Sequence, residues 1–439
     1  MSHSAIRSRR DFLRSTAFGV ASAGVFAVPV FRKERAFGKE KSPNEKLNIA
    51  QIGIGGRGRG NLAGIRHENI VALCDINAKT LEKTAEGFPG VKKFSDYRKM
   101  FDAMEKQIDA VLICTPDHTH APASAMTMKL GKHCYCEKPL THNVYEARAL
   151  AELAKKNKVA TQMGTQIHAM DNYRRVVELV QSGAVGPIED VHVWIGKGRG
   201  GGERPKDTPP VPKNIDWDSW IGPAPYRPYH PCYIPFNWRY WWEFGNGSLG
   251  DFGCHYMDLA FWALKLRHPT MVDAIGPKVH PETTPLAMSV KYEFPARGDM
   301  PATKLTWHHG EKQPAVLAEN KLPAWGAGVL FVGKNGMLIA NYGKRGLYPK
   351  DKFEGFTPPP QTIPNSIGHH KEWIKAAKTG GPTTCNFDYS GALTESVLLG
   401  TVSYRIGKKL QWDAANLKAI GCPEADALLQ RQYRKGWTL

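Results

Sequence analysis

Asp251 and His255 stand four residues apart in GSLGDFGCHYMD, where a run of apolar residues continues through Leu259 and Trp262. Positions i and i+4 share a helix face, so a carboxylate and an imidazole placed there project together. The helix dipole favours an ionised carboxylate in the first turn. An ionised Asp251 would orient His255 and favour its protonated ring, an arrangement suited to a general base working on a hydroxyl. The bland alternative makes Asp251 an N-cap and His255 a buried structural histidine. Asp258, one turn on, either braces the helix or meets a substrate.

A second group of residues points to a dinucleotide. IGIGGRGRG places Gly53, Gly55 and Gly58 in G-x-G-x-x-G spacing, with Ile54 and Arg57 among them, after an apolar strand and at the start of a helix. Such glycines permit a tight turn and let a pyrophosphate approach helix N-terminal amides. The next strand ends at Asp75, where an acid holds the ribose hydroxyls of NAD. That acid repels a 2′-phosphate, which favours NAD, while Arg57 and Arg59 keep NADP open. A glycine turn without a ligand is the remaining alternative.

The next two loops leave the same sheet edge. CTPDHTH carries Thr115, Pro116, His118 and His120, and two histidines with one aspartate make a poor zinc set. It reads as a nicotinamide-side loop, and no metal is expected. CEKPL ends the fifth strand with Glu137 and Lys138 ahead of Pro139.

Short apolar strands (LNIAQIGI, NIVALCDI, IDAVLICT, KHCYCEKP, KVATQMG) alternate with helical stretches over residues 46–165. This rhythm means a parallel sheet with helical crossovers. After a helix closed by Gly183, the segments VHVWIG, AMSVKYEF, ATKLTWHH, GVLFVG and GMLIA alternate residue by residue, as half-buried antiparallel strands do. The expected fold is α/β: an N-terminal Rossmann doubly wound parallel sheet over 46–165, then an α+β domain over 166–439 with an open, mostly antiparallel sheet. Two late helices, around His370–Lys378 and Gly391–Ile406, are expected to pack back onto the fold. The aromatic stretch Gly196–Gly250 is too rich in Trp and Tyr to read as disordered, and its GKGRGGGERP segment reads as a flexible loop near a substrate mouth or an oligomer contact.

The glycine turn, the TP-x-x-x-H loop, Glu137-Lys138-Pro139 and GDFGCHYMD together resemble the glucose–fructose oxidoreductase and inositol dehydrogenase family. NWRYWWEFGNGSLGDFGCHYMD, HHKEW and the closing YRKGW are similar to its exported bacterial members. The resemblance spans nearly the whole chain after residue 45. It implies catalytic Lys138, Asp251 and His255, with Lys138 touching both substrate and nicotinamide beside a cis Pro139. It implies cofactor contacts at Gly53, Ile54, Gly55, Arg57, Gly58, Asp75, Thr115, Pro116, His120, Glu137, Lys138 and Gln166. Trp238 and Arg239 are expected to stack on a sugar face and donate to its hydroxyls beside His255, although Trp238 serves interdomain packing equally well. The implied function is hydride transfer between a sugar, glycoside or polyol hydroxyl and tightly bound NAD, in a homo-oligomer. Alternatives are a redox-neutral NAD-dependent glycosidase and a non-catalytic sugar-binding protein. Relatives with glycosidase chemistry replace the E-K-P lysine, which is present here.

The first 31 residues carry SRRDFLRSTAF and an uncharged run from Ser15 to Phe31, which looks like a twin-arginine export signal. The run is marginal for a membrane span of about 20 residues. Residues 32–45 read as a linker, the twin-arginine machinery as a partner and the periplasm as the destination. Export after folding explains how a nicotinamide enzyme would leave with its cofactor aboard. The net charge of +18 is spread along the chain without a basic helix or an RNA-binding aromatic motif, so no nucleic-acid partner is expected. The eight cysteines read as buried thiols, since a chain folding in a reducing compartment does not depend on disulfides.

Overall fold

The computed structural model describes residues 45–310 and 313–439; the export-signal reading and nearly all of the linker lie outside them. The first layer is a six-stranded sheet of β1 (Asn48–Ile52), β2 (Asn69–Cys74), β3 (Lys92–Phe94), β4 (Ala110–Ile113), β5 (His133–Cys136) and β6 (Thr161–Met163). Its order is β3-β2-β1-β4-β5-β6 and every pair is parallel. AVLI in β4 is buried at all four positions, as expected of a strand covered on both faces. The order reverses between β1 and β4, and that crevice is where open α/β sheets bind ligands.

The helices here are α1 (Arg57–Ile65), α2 (Ala78–Ala85), α3 (Tyr97–Met104), α4 (Asp117–Lys129) and α5 (Val144–Asn157). Asn77 caps α2, Asp96 caps α3, and Asn143 with Glu146 forms a capping box on α5. No side chain caps α1, whose N-cap is Gly56. Its N-terminus is therefore open to a ligand, apart from Gly58 N, which donates to Gly55 O at 2.8 Å.

The second sheet follows α6 (Asp171–Gln181). It comprises β7 (Ile188–Ile195), β8 (Met271–Ile275), β9 (Met288–Phe294), β10 (Thr303–His309), β11 (Ala327–Gly333), β12 (Gly336–Ala340), β13 (Arg345–Tyr348), β14 (Leu410–Asp413) and β15 (Lys418–Ile420). The order is β13-β12-β11-β7-β10-β9-β8-β14-β15, antiparallel except for the β7–β10 pair. β9 buries alternate residues. The remaining helices are α7 (Trp217–Ile221), α8 (Gly247–Ala263), α9 (Ala315–Glu319), α10 (His369–Thr379), α11 (Phe387–Ile406) and α12 (Asp426–Leu429).

Two helices tie the layers together. α8 packs on β7, β10 and β11 as well as on α6 and α11, while α11 also packs against α5. Arg148 of α5 holds buried Glu395 of α11 with two nitrogens. α10 returns to the first layer, where Trp373, Ile374 and Ala377 join Leu73, Leu112 and Tyr135 in one core. All eight cysteines are free thiols.

The stretch between β7 and α8 is ordered. Trp217, Trp220, Tyr229, Tyr233, Trp238, Trp241 and Phe244 form a core of their own. The stretch is pinned to the first sheet just past β2: Ala78 N donates to Asn214 O, and Asp216 N to Ile76 O. It forms a strap across the sheet's ligand edge.

Candidate active site

The crevice between β1 and β4 opens into a cavity of about 630 Å³. Its floor is the glycine turn. Gly53 has φ +79°, and a Cβ there would meet Cys114 O at 2.6 Å. A Cβ on Gly58 would stand 2.2 Å from Gly53 O, so that glycine packs helix against strand from behind. The Asp75 carboxylate accepts from Ile54 N at 2.9 Å and Asn77 N at 2.9 Å. Burial raises its pKa, against the lowering effect of those amides.

Gly53, Gly55, Arg57, Asp75, Thr115, Pro116, Glu137, Lys138, Gln166, Trp238, Arg239 and His255 all line the cavity. Ile54, Gly58 and His120 stand behind its wall. The ring nitrogens of His120 lie 2.8 Å from Pro139 O and 2.8 Å from Thr115 O, which ties the β4 loop to the β5 loop. The expected direct cofactor contact from the His120 ring is thus replaced by a bracing role. His118 lies 2.8 Å from Trp220 O and packs at a tilt against the Trp220 and Phe244 rings, anchoring the strap. Glu137 is buried and accepts from Asn61 at 2.8 Å and from Arg57 at 3.4 Å, clamping α1 to the β5 loop. The Lys138–Pro139 peptide is cis.

The cavity fits a dinucleotide. Thr115 Oγ1, Gln166 Oε1 and His255 Nδ1 are buried polar atoms without a hydrogen-bond partner among the described residues, and all three residues face the cavity. Buried polar groups ordinarily find partners, so this set calls for a polar ligand. With the uncapped α1 and Asp75, it supplies the phosphate, ribose and nicotinamide contacts that NAD requires.

At the far end lies Asp251, in the second turn of α8. Lys138 Nζ donates to Asp251 Oδ1 at 2.6 Å and to its carbonyl at 2.7 Å. Arg239 Nε donates to Oδ1 at 3.1 Å, and Arg199 Nε lies 2.5 Å from Oδ2. Burial alone would raise the Asp251 pKa; Lys138, Arg239 and Arg199 more than offset it and hold the carboxyl well below the usual carboxylate range.

Asp251 does not hydrogen-bond to His255, and its expected pull toward the protonated ring is outweighed. Both Asp251 oxygens are taken by cations. Burial, and then the Lys138 charge, push His255 down to about 3, against the opposing pull of Asp251. The ring is therefore neutral at pH 7, with a lone pair free to accept a proton. Tyr173 fixes the histidine from below by donating to its backbone carbonyl at 3.0 Å. Asp258 is turned into the core, where His168 and Tyr389 hold it, so it braces α8.

Trp238 is 6% exposed and packs within the strap's aromatic core, with the Arg239 guanidinium 4.1 Å over its ring. Trp238 therefore packs in the strap with one ring face covered, and it also lines the cavity.

Two wall residues were missed by the sequence reading. Trp437, near the chain end, closes the cavity beside Tyr97 with Arg98 over its ring. Only the place of YRKGW in a family pattern hinted at it. Asp117, the first residue of α4, sits inside the TPDHTH loop but does not stand out by spacing. Burial pushes its carboxyl up to about 8, against the lowering effect of Arg239 and Lys138. It is a neutral acid on the cavity wall at pH 7.

Comparison with known proteins places these features. Residues 47–165 match the Gfo/Idh/MocA domain described as "Oxidoreductase family, NAD-binding Rossmann fold", and residues 174–299 match its "C-terminal alpha/beta domain". Together they cover more than half of the chain. The chain belongs to the Gfo/Idh/MocA oxidoreductase family. It carries that family's NAD-binding domain.

Similar proteins include the myo-inositol 2-dehydrogenase of Thermotoga maritima, 28% identical over 32% of this chain and 42% of that protein. A glycosyl hydrolase family 109 protein of Shewanella pealeana is 26% identical over 41% of this chain and 44% of that protein. The chain thus spans less than half the length of either relative. Among solved structures, the WlbA dehydrogenase of Bordetella pertussis, in complex with NADH and UDP-GlcNAcA, superposes with a TM-score of 0.61 at 15% identity. The match covers 84% of this chain and 99% of that one, and it speaks for the fold.

The Asp117 carboxyl makes a signed prediction. Its folded pKa lies above its unfolded value, so the native state holds a proton that the unfolded chain releases between pH 4 and 8. Stability from this group is full at low pH and falls as pH rises, by at most about 1.4 kcal/mol per pH unit. The opposite contribution of His255 is common to wild type and variant and cancels in their difference. Denaturant unfolding from pH 5 to 8 should show Asp117→Asn gaining steadily on wild type. Parallel curves would remove the assignment.

Proposed function

We propose that this protein is an exported oxidoreductase that passes a hydride between a sugar, glycoside or polyol hydroxyl and a tightly held NAD. The observation that carries the reading is the Lys138–Asp251 ion pair with a neutral His255 that lines the same cavity as Lys138. Similarity to an inositol 2-dehydrogenase supports a polyol or sugar substrate.

His255 accepts the hydroxyl proton, and Lys138, held on Asp251, donates to the same oxygen as negative charge develops there. The carbon–hydrogen bond breaks with its electron pair leaving as hydride, and the alcohol becomes a carbonyl. Bound NAD supplies the hydride acceptor. The strap and Trp437 shield the site from water and from cofactor loss. An enzyme with a trapped cofactor returns the hydride to a second carbonyl compound, to an external electron carrier, or to the same molecule. The last route is glycosidase chemistry, which the similarity to a family 109 protein keeps in view; aryl-glycoside cleavage without net NAD reduction distinguishes it.

The twin-arginine-like start of the chain supports folding around NAD in the cytoplasm and delivery to the periplasm. Retention for hours, with association near about 10⁶ M⁻¹s⁻¹, requires a dissociation constant of roughly 10⁻¹⁰ M, or about −14 kcal/mol. Denaturing protein purified from the cytoplasm should release about one nicotinamide dinucleotide per chain. Empty protein that also binds added NAD weakly would sink the retention reading. His255→Ala should keep the cofactor and lose at least about a hundredfold in turnover; unchanged turnover would take His255 out of the mechanism.

A further inference from the structure

The charge at the substrate end of the cleft is unbalanced. Three cations, Lys138, Arg199 and Arg239, converge on the single carboxylate of Asp251. The other acid at this end, Asp117, is kept neutral at pH 7 by burial. The cluster therefore carries two positive charges more than its one anion can answer.

The geometry says where the excess points. Both arginines meet Asp251 through Nε, the inner nitrogen of the guanidinium. Of their terminal nitrogens, Arg239 Nη1 donates to Phe236 O at 3.2 Å. The others have no hydrogen-bond partner among the described residues. The two guanidiniums lie 4.7 and 4.4 Å from the centroid of the same ring, Phe236, which is 41% exposed and lines the cavity mouth. Phe252 of α8 supports Arg199 from a second side at 4.7 Å. Two like charges share one aromatic platform with donor edges unspent. Guanidinium edges of this kind match planar oxyanions. The loop that brings Arg199 in, GKGRGGGERP, is shaped for the purpose: Gly200 has φ +145°, and a Cβ there would fall 1.9 Å from Thr284 O. Thr284 in turn donates to Arg199 O at 2.8 Å, which fixes the arginine's backbone.

Building on the oxidoreductase reading above, we propose that the substrate is an anionic sugar, whose carboxylate or phosphate docks on Arg199 and Arg239 while its hydroxyl faces Lys138 and His255. Arg199 then selects substrate by charge, and the glycine-rich loop is the specificity element of the cleft.

Binding tests this without turnover. Wild-type protein with its copurified cofactor is titrated calorimetrically with a hexuronate, the matching hexose 6-phosphate and the matching neutral hexose, at about 50 mM and about 300 mM salt. At least one anionic sugar should bind at least about tenfold tighter than the neutral one, with the advantage shrinking at high salt. The two anionic arms tell carboxylate from phosphate. Arg199→Ala should cut the anion-to-neutral ratio at least about threefold, and Arg199→Lys should recover part of it. A neutral hexose that binds as tightly as both anions, or no binding by any of the three, overturns the proposal. Anion preference in a protein whose NAD no bound sugar reduces would instead count against hydride transfer and leave the anion site standing.

Discussion

One buried carboxylate organises the catalytic end of this molecule. Asp251 is reached by Lys138 from the end of β5, by Arg239 from the strap and by Arg199 from the loop after β7. Without it, three cations would face each other in a low-dielectric cleft, an arrangement that partial burial makes costly. With it, the cofactor loop, the strap and α8 are drawn to one point. The architecture around Asp251 follows from that need. α8 is buried along nearly its whole length because it must hold the carboxylate from the second sheet against the edge of the first.

His255 is neutral chiefly because it is buried, and the Lys138 charge adds to that. Asp251 still pulls the ring toward its protonated form, but its charge is shared with three cations and does not outweigh burial and Lys138. A base must begin without its proton, and His255 does; the same burial makes it a weak proton acceptor. Asp117 shows the complementary effect, since a carboxyl in the same cleft with no cation of its own keeps its proton. Two acids and one imidazole within one site thus take different protonation states from their surroundings alone.

Much of this was legible in the sequence. The glycine spacing with Asp75 announced the cofactor edge, and strand–helix rhythm announced the parallel sheet, because both are local patterns. The i, i+4 spacing of Asp251 and His255 was read as placing both on one helix, and both do lie in α8. The partners of Asp251 were less accessible. Lys138 and Arg239 came from a family pattern, whereas Arg199 sits in a glycine-rich loop whose sequence carries no periodicity, so its contact was not foreseen. The protonation of His255 was misjudged because it depends on how deeply the ring is buried and on the Lys138 charge beside it, and neither is a local pattern. β13, β14 and β15 escaped because they are strands of only three or four residues, and β8 because MVDAI does not alternate. Trp437 closes the cavity from a tail with no local signal at all.

The most direct test of the role given to Asp251 is single-turnover reduction of the bound cofactor, followed by its absorbance in wild type and Asp251→Asn with the sugar that wild type oxidises fastest. Asparagine keeps the shape and removes the charge that anchors Lys138. The copurified NAD should be retained, while the hydride-transfer rate falls by at least about a hundredfold. A rate within about threefold of wild type, with cofactor content unchanged, would contradict the account, because the carboxylate would then be holding nothing that the reaction needs.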